Sequence, residues 1–198
     1  EIRYSINCDI EFFDVLDFNS HKSFYTNLEK KPDIVISCIG YLGDQDKSEI
    51  SFEESLKSIQ TNFTGLVSIL NKISINFESR KSGTIVGISS VAGDRARGSN
   101  YIYGSSKSAF TSYLSGLRNR LFKSGVQVIT VKPGFIKSKM TNHLDLPKIL
   151  TATPDEISRD IIRSINKGKN IIYTKWFWKW IMLIIKYIPE FIFKKLKL

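Results

Sequence analysis

An α/β domain with a parallel sheet covered by helices on both faces is the fold this sequence predicts, and three observations predict it. Short apolar runs alternate along the chain with segments of helical period. The runs are nearly continuous in Val and Ile rather than alternating with polar residues, as strands buried on both faces require. Gly, Pro, Asn and Ser punctuate the joints between them. A length of 198 residues and a hydrophobic content of 42% suit one such domain with a sizeable core and exclude a disordered chain.

The first run, "CDIEFFDV" from Cys8 to Val15, predicts a strand. "FNSHKSFYTNLEKK" predicts a helix capped by Asn19 or Ser20. "DIVISCIG", Asp33 to Gly40, is β-branched almost throughout and predicts a strand buried on both faces. "SFEESLKSIQTNFTGLVSILNKISINF" keeps a 3.6-residue period over its length and predicts one long helix. "GTIVGIS" predicts the next strand, Tyr101 to Phe122 the next helix, and "VQVITVKPG" a strand stopped by Pro133 and Gly134. In "TPDEISRDIIRSINKG", Thr153 can cap a helix, Pro154 fits its first turn, Glu156 completes a capping box and Gly168 ends it. "NIIYT" predicts a last short strand. No internal repeat or low-complexity linker interrupts the series, so residues 1–175 read as one domain and 176–198 as a tail.

The formal charge of +10 is unevenly spread: from Lys167 to Leu198 eight lysines face one glutamate, leaving only +3 for the preceding residues. A nucleic-acid binder carries its basic face within the fold. Here the charge sits in an aromatic and aliphatic tail, which points to a membrane surface and not to nucleic acid. Cys8 and Cys38 lie in strand-like runs without a Cys-x-x-Cys pair and predict small buried thiols in a reducing cytosol. His21 and His143 are far apart, lack metal-ligand spacing and read as ordinary polar residues, so no metal site is expected. No secretory signal is legible at the N-terminus.

Chemistry is concentrated in "SSVAGDRARGSNYIYGSSKSAF", Ser89 to Phe110. Tyr103 and Lys107 stand at i and i+4 and share a helix face. Alone the pair means nothing: eight tyrosines and 21 lysines in 198 residues predict about one such spacing by chance, and one is found. Its surroundings give it weight. Ser90 follows a buried strand thirteen residues earlier, and the C-terminal ends of strands are where open α/β sheets bind ligands. Singly, Ser90 reads as a turn serine, Tyr103 and Lys107 as a solvated helix face, and Asn62 as a buried helix asparagine; it is the joint order that selects a site.

In that order the residues resemble the short-chain dehydrogenase/reductase family, across nearly all of residues 8–175. The family pattern of a serine after the fifth strand, Tyr-x-x-x-Lys, and Pro-Gly after the sixth strand is matched by Ser90, "YGSSK" and "VKPGFIKS". The resemblance implies a Rossmann-like doubly wound sheet, NAD or NADP as cofactor and a carbonyl substrate. It carries over Asn62, in "TNFTG", as a fourth catalytic residue. Asp14 and Val15, in "FFDVLDF", are carried over as adenine contacts, and Gly40, in "SCIG", as the one retained residue of the family's Asn-Asn-Ala-Gly turn. Pro133, Gly134, Ile136 and Ser138 are carried over as further cofactor contacts, with Ser138 standing where threonine is common.

Within this resemblance Tyr103 gives the proton to the developing alkoxide as general acid. A free tyrosine titrates near 10, and lowering it by about 3 units takes roughly 4 kcal/mol, which the Lys107 ammonium and the positive nicotinamide are expected to supply. Lys107 also binds the nicotinamide ribose, Ser90 polarises the carbonyl and Asn62 places a water that links Lys107 to solvent. A finer similarity, in "CIGYLGDQ", "ISSVAGDRARGSNYIYGSSK" and "VKPGFIKSKM", is to reductases of polyprenyl-phosphate-linked keto-pentoses in surface-polysaccharide synthesis. It implies a lipid- or nucleotide-linked keto sugar.

The first glycine in the chain is Gly40, so no glycine-rich turn precedes it. By resemblance the chain lacks the family's first two strands, about 45 to 50 residues, and with them the pyrophosphate cradle and the residues that choose NAD over NADP. The expected consequences are an open edge on the strand at Asp33–Gly40, poor NAD(P) binding by the chain alone and lower stability. The competing reading is an inactive remnant that binds only a membrane or a partner. The tail, "WFWKWIMLIIKYIPEFIFKKLKL", predicts a helix kinked at Pro189, with Lys179, Lys186, Glu190, Lys194 and Lys197 in one polar stripe. Its longest uncharged run is Trp180 to Ile185, far short of the roughly 20 residues of a spanning helix. Two outcomes are open: packing on its own domain or a dimer partner, or lying in the headgroup region of the cytoplasmic membrane.

Overall fold

Residues 8–142 and 144–196 are described by a computed structural model of the chain. Among them the strands are β1 (Ile34–Ser37), β2 (Thr84–Ile88), β3 (Gln127–Pro133), β4 (Phe135–Ile136), β5 (Thr151–Ala152) and β6 (Ile171–Thr174). The main sheet is parallel in the order β1-β2-β3-β6, and β4 pairs with β5 in a small parallel ribbon. The helices are α1 (Ser20–Asn27), α2 (Gln45–Ile50), α3 (Phe52–Ile59), α4 (Gly65–Arg80), α5 (Tyr101–Leu121), α6 (Pro154–Asn166), α7 (Trp178–Tyr187) and α8 (Glu190–Phe193).

Successive residues of β2 enter opposite cores, as the two-residue strand period requires. Ile85 packs with Leu66, Leu70 and Phe77 of α4 and Phe110 and Leu114 of α5. Val86 packs with Ile129 and Val131 of β3 and with Ile157 and Ile161 of α6. Each such side chain, buried fully, contributes roughly 1.5–3 kcal/mol, so the two layers hold the sheet from both sides. α6 starts as its sequence requires: Thr153 Oγ1 accepts from Glu156 N at 3.3 Å, and Glu156 Oε2 accepts from Thr153 N at 2.8 Å.

Several expectations are corrected. Cys8–Val15 is not a strand: no described strand pairs with it, and Ile10 and Phe12 are exposed. A strand without a partner leaves its peptide groups to water and has no ladder to form. Among the described residues β1 pairs only with β2, and Ile34 and Ile36 are about half exposed, so this run is covered incompletely rather than buried on both faces. For the same reasons Cys8 and Cys38 are exposed free thiols and not buried ones. Neither Asn19 nor Ser20 caps α1 through its side chain; Ser20 Oγ instead donates to Asp17 O at 2.9 Å. His21 is fully buried between Phe13 and Phe18, with Nε2 3.1 Å from Asp14 O. His143 and Lys197 lie outside the described residues.

The long helix is interrupted. Between α3 and α4, residues Gln60–Thr64 wind as a π turn, and Gly65 N donates to Gln60 O five residues back. The tail forms two helices broken at Ile188–Pro189. One face of α7 packs on the domain, with Trp178 and Met182 buried against Val91, Phe135 and Leu150. Its other face, with Trp180, Ile184 and Tyr187, is exposed. No described helix is long and apolar enough to cross a membrane.

Candidate active site

A cleft of about 810 Å³ opens at the C-terminal ends of β1, β2 and β3 and is lined by Gly40, Ser90, Arg97, Asn100, Tyr103, Lys107, Pro133, Gly134, Ile136 and Ser138, among others. Ser90 sits where β2 ends and a single 3₁₀ turn, Val91–Gly93, begins; its Oγ accepts from Ala92 N at 3.1 Å. This turn lies tight against α5: a Cβ on Gly93 would stand 2.8 Å from the Lys107 carbonyl carbon. Ser89 holds the same junction from below, donating to Lys107 O at 3.0 Å and sharing a 2.6 Å hydrogen bond with Thr111. Asp94, the next residue after the turn, is ion-paired with Lys132 of β3 and accepts from the Tyr173 hydroxyl of β6 at 2.8 Å. Both charges are nearly buried, so the pair fixes the Ser90 turn to two strands at once.

Tyr103 and Lys107, on the first and second turns of α5, line the cleft. Burial pushes the Tyr103 phenol above its ordinary value, and its interaction with the Ser90 hydroxyl opposes this. Without the cofactor, Lys107 is not among the groups that shift it. Its Nζ stands 5.8 Å from the ring centroid, and burial brings its own pKa down to about 8. Desolvation penalises whichever form is charged, so both side chains move toward neutrality. Among the described residues the Lys107 ammonium has one hydrogen bond, to Ile88 O at 3.2 Å, and no carboxylate beside it.

Asn62 is fully buried in the π turn and does not line the cleft. Its amide donates to Tyr41 O at 2.7 Å and Ser58 Oγ at 3.3 Å and accepts from Tyr41 N at 2.9 Å. The side chain thus fixes the turn after β1 that carries Gly40. A Cβ on Gly40 would stand 3.4 Å from both Asn62 Oδ1 and Lys107 Nζ. The Pro133–Ser138 turn is held from the far side by the tail: a Cβ on Gly134 would overlap the Trp178 indole at 2.0 Å, and Trp178 Nε1 donates to Leu150 O at 3.1 Å. Ser138 caps the 3₁₀ turn Lys139–Thr141. Asp14 and Val15 do not join this group. Asp14 Oδ1 accepts from Leu16 N at 2.8 Å, and Val15 lies against Gly65 of α4.

Sequence reasoning missed Ser89, Gly93, Asp94 and Trp178, each of which holds a site residue through tertiary contacts. Only Gly93 had a local signal, a glycine between a strand and a helix. Among the described residues no group of His, Cys, Asp and Glu could hold a metal ion.

The chain is similar to known proteins in sequence and in fold. An uncharacterized oxidoreductase of Mycobacterium tuberculosis is 28% identical over 187 residues, covering 93% of this chain and 75% of that protein. Another, from Streptomyces coelicolor, is 30% identical over 186 residues, covering 93% and 73%. Among solved structures, a short chain dehydrogenase from Burkholderia cenocepacia in complex with NADP superimposes with a TM-score of 0.78 at 19% identity, covering 88% of this chain and 72% of that one. One from Sphingobium yanoikuyae in complex with NADPH gives 0.74 at 19% identity, covering 89% and 74%. The short chain dehydrogenase family model matches residues 6–148, well over half the chain. The chain therefore belongs to the short-chain dehydrogenase/reductase family of NAD(P)-dependent oxidoreductases.

Proposed function

We propose that this chain reduces the keto group of a sugar-type substrate carried on a polyprenyl phosphate, with Tyr103 as the general acid. The observation that carries the reading is the convergence of Ser90, Tyr103 and Lys107 with the Pro133–Ser138 turn on one cleft. When bound, the nicotinamide supplies the hydride. Lys107 tests whether the chain fits that cofactor. A buried ammonium with a single acceptor keeps two donors unspent, the number that the paired hydroxyls of a ribose would take. Gly40, Pro133, Gly134, Ile136 and Ser138 line the same wall. Asp14 and Val15 keep the adenine role only as a proposal from resemblance.

Burial keeps the Tyr103 phenol protonated at neutral pH, which is the form reduction consumes. Ser90 donates to the carbonyl oxygen and holds it at the Tyr103 hydroxyl. The proton lost from Tyr103 is replaced through Lys107. Both amide hydrogens of Asn62 are spent on Tyr41 O and Ser58 Oγ, so a water placed there has to be held by other groups of the π turn.

The exposed face of the tail supports a lipid-borne substrate. Trp176, Trp180, Ile184, Tyr187 and Phe191 form an apolar surface flanked by Lys179, Lys186, Lys194 and Lys195, the composition of a helix lying in an anionic headgroup layer. The reading places the protein at the cytoplasmic membrane surface. The competing occupant of this face is a second copy of the chain. The test compares NADPH-dependent reduction of a polyprenyl-phosphoryl keto-pentose in vesicles with that of the free ketose, using the natural protein that carries this chain. At least a tenfold higher kcat/KM for the lipid-linked sugar is expected; equal values contradict the lipid-linked assignment.

A further inference from the structure

We propose that Arg97 and Asn100 form a subsite for an oxyanion, a phosphoryl or carboxylate group, on the carbonyl substrate. The proposal rests on the keto-substrate reading of the same cleft and names a feature that substrate must carry.

Among the described residues five buried polar side-chain atoms have no hydrogen-bond partner, and two of them, Arg97 Nε and Asn100 Oδ1, lie three residues apart in the loop that lines this cleft. Native structures rarely leave such atoms unpaired unless a ligand or water completes them. Arg97 forms no ion pair among the described residues. Burial alone lowers its pKa, with no carboxylate opposing that effect. A half-buried guanidinium with no anion is costly to hold, and a planar fork of N–H donors is the group that takes an oxyanion through two bonds at once.

Its neighbour two residues earlier shows the contrast. Arg95 is wholly engaged by the tail: it donates to Ile185 O at 2.8 Å and Ile188 O at 2.6 Å, pairs with Glu190 at 2.7 Å and stacks on Phe193. Asn100 is likewise released from its usual task. It occupies the N-cap of α5 but makes no side-chain capping bond, so its buried carboxamide oxygen keeps an unspent acceptor in a residue that lines the cleft.

The loop is held close to the reacting groups. A Cβ on Gly104 would stand 3.0 Å from Ala92 O and 3.1 Å from Ala96 Cβ, so the segment just before Arg97 folds back on the α5 turn that bears Tyr103. Arg97 thus lies between Ser90 and Tyr103 in the chain, on the loop that joins the two groups facing the carbonyl. The cofactor wall is built separately, from Gly40 and the Pro133–Ser138 turn.

The test is calorimetric titration of the natural protein, with and without NADP, by D-ribulose 5-phosphate, 2-keto-D-gluconate and neutral D-ribulose. The wild type is expected to bind one of the two anionic compounds at least tenfold more tightly than D-ribulose, since a hydrogen bond to a charged group carries about that factor. Whichever binds more tightly identifies phosphoryl or carboxylate. Arg97→Gln should abolish the preference while leaving D-ribulose affinity, NADP affinity and thermal midpoint nearly unchanged, and Arg97→Lys should keep part of it. No preference in the wild type, or an undiminished preference in Arg97→Gln, overturns the proposal. Binding preference without NADPH oxidation would instead count against the proposed reaction and leave the anion subsite standing.

Discussion

At the scale of single residues, Lys107 links stability to catalysis. Its pKa is about 8 in the folded chain against 10.5 for a free lysine, the only cause being burial. Between those two values the unfolded chain binds a proton that the folded chain does not, so stability rises with pH across that window. Below about pH 8 the buried ammonium costs on the order of 3 kcal/mol. Lys107→Met should therefore stabilise the cofactor-free protein by about 1–3 kcal/mol at pH 7, and the advantage should vanish toward pH 10.5. Urea midpoints at the two pH values check this; an offset that does not change with pH would show that Lys107 is not held against its charge. NADP binding should raise the pKa again by giving the ammonium acceptors. Residue identity at this site was legible in the sequence, because Ser90, Tyr103 and Lys107 stand at fixed spacing on one strand end and one helix face. The balance of their charges was not, because desolvation depends on what the fold packs around them.

At the scale of elements, local chemistry was legible where it sufficed to define the element. The capping box at Thr153 and Glu156 appears as its residues require, and α5 spans nearly the predicted residues. It failed where partners decide. Cys8–Val15 has strand composition but no strand beside it. The π turn around Asn62 has no local sequence signature and arises within a segment of unbroken helical period. The packing of the tail on the Pro133–Ser138 turn was equally hidden, being a contact between Gly134 and Trp178. Gly134→Ala should cost about 1–3 kcal/mol by overpacking and weaken NADP binding through the displaced turn. In a double-mutant cycle, Trp178→Ala should relieve this cost by at least about 1 kcal/mol, since the two sites share one contact. Strict additivity in chemical unfolding would place the strain elsewhere.

At the scale of the whole molecule, a parallel sheet supplies the cleft and the tail buttresses its surroundings from behind, joined to the loop after Ser90 through Arg95 and to the Pro133–Ser138 turn through Trp178. Because that inner face is occupied, only the outer face of α7 and α8 is open to a membrane or a second copy. The natural protein should float with anionic vesicles at low salt and be released at high salt, since lysine contacts with lipid are screened; removal from Trp176 onward should abolish flotation. A salt-independent dimer that ignores vesicles would assign the face to a second copy. The central claim is that Tyr103 is the proton donor of a nicotinamide-dependent carbonyl reduction. The most direct measurement is single-turnover transfer of deuterium from labelled NADPH to a keto-sugar substrate by the natural protein and by Tyr103→Phe, with NADPH affinity measured in parallel. Transfer should slow by roughly 10²–10⁴-fold in Tyr103→Phe while NADPH affinity holds. Transfer within tenfold of the wild type at equal cofactor occupancy would contradict the account.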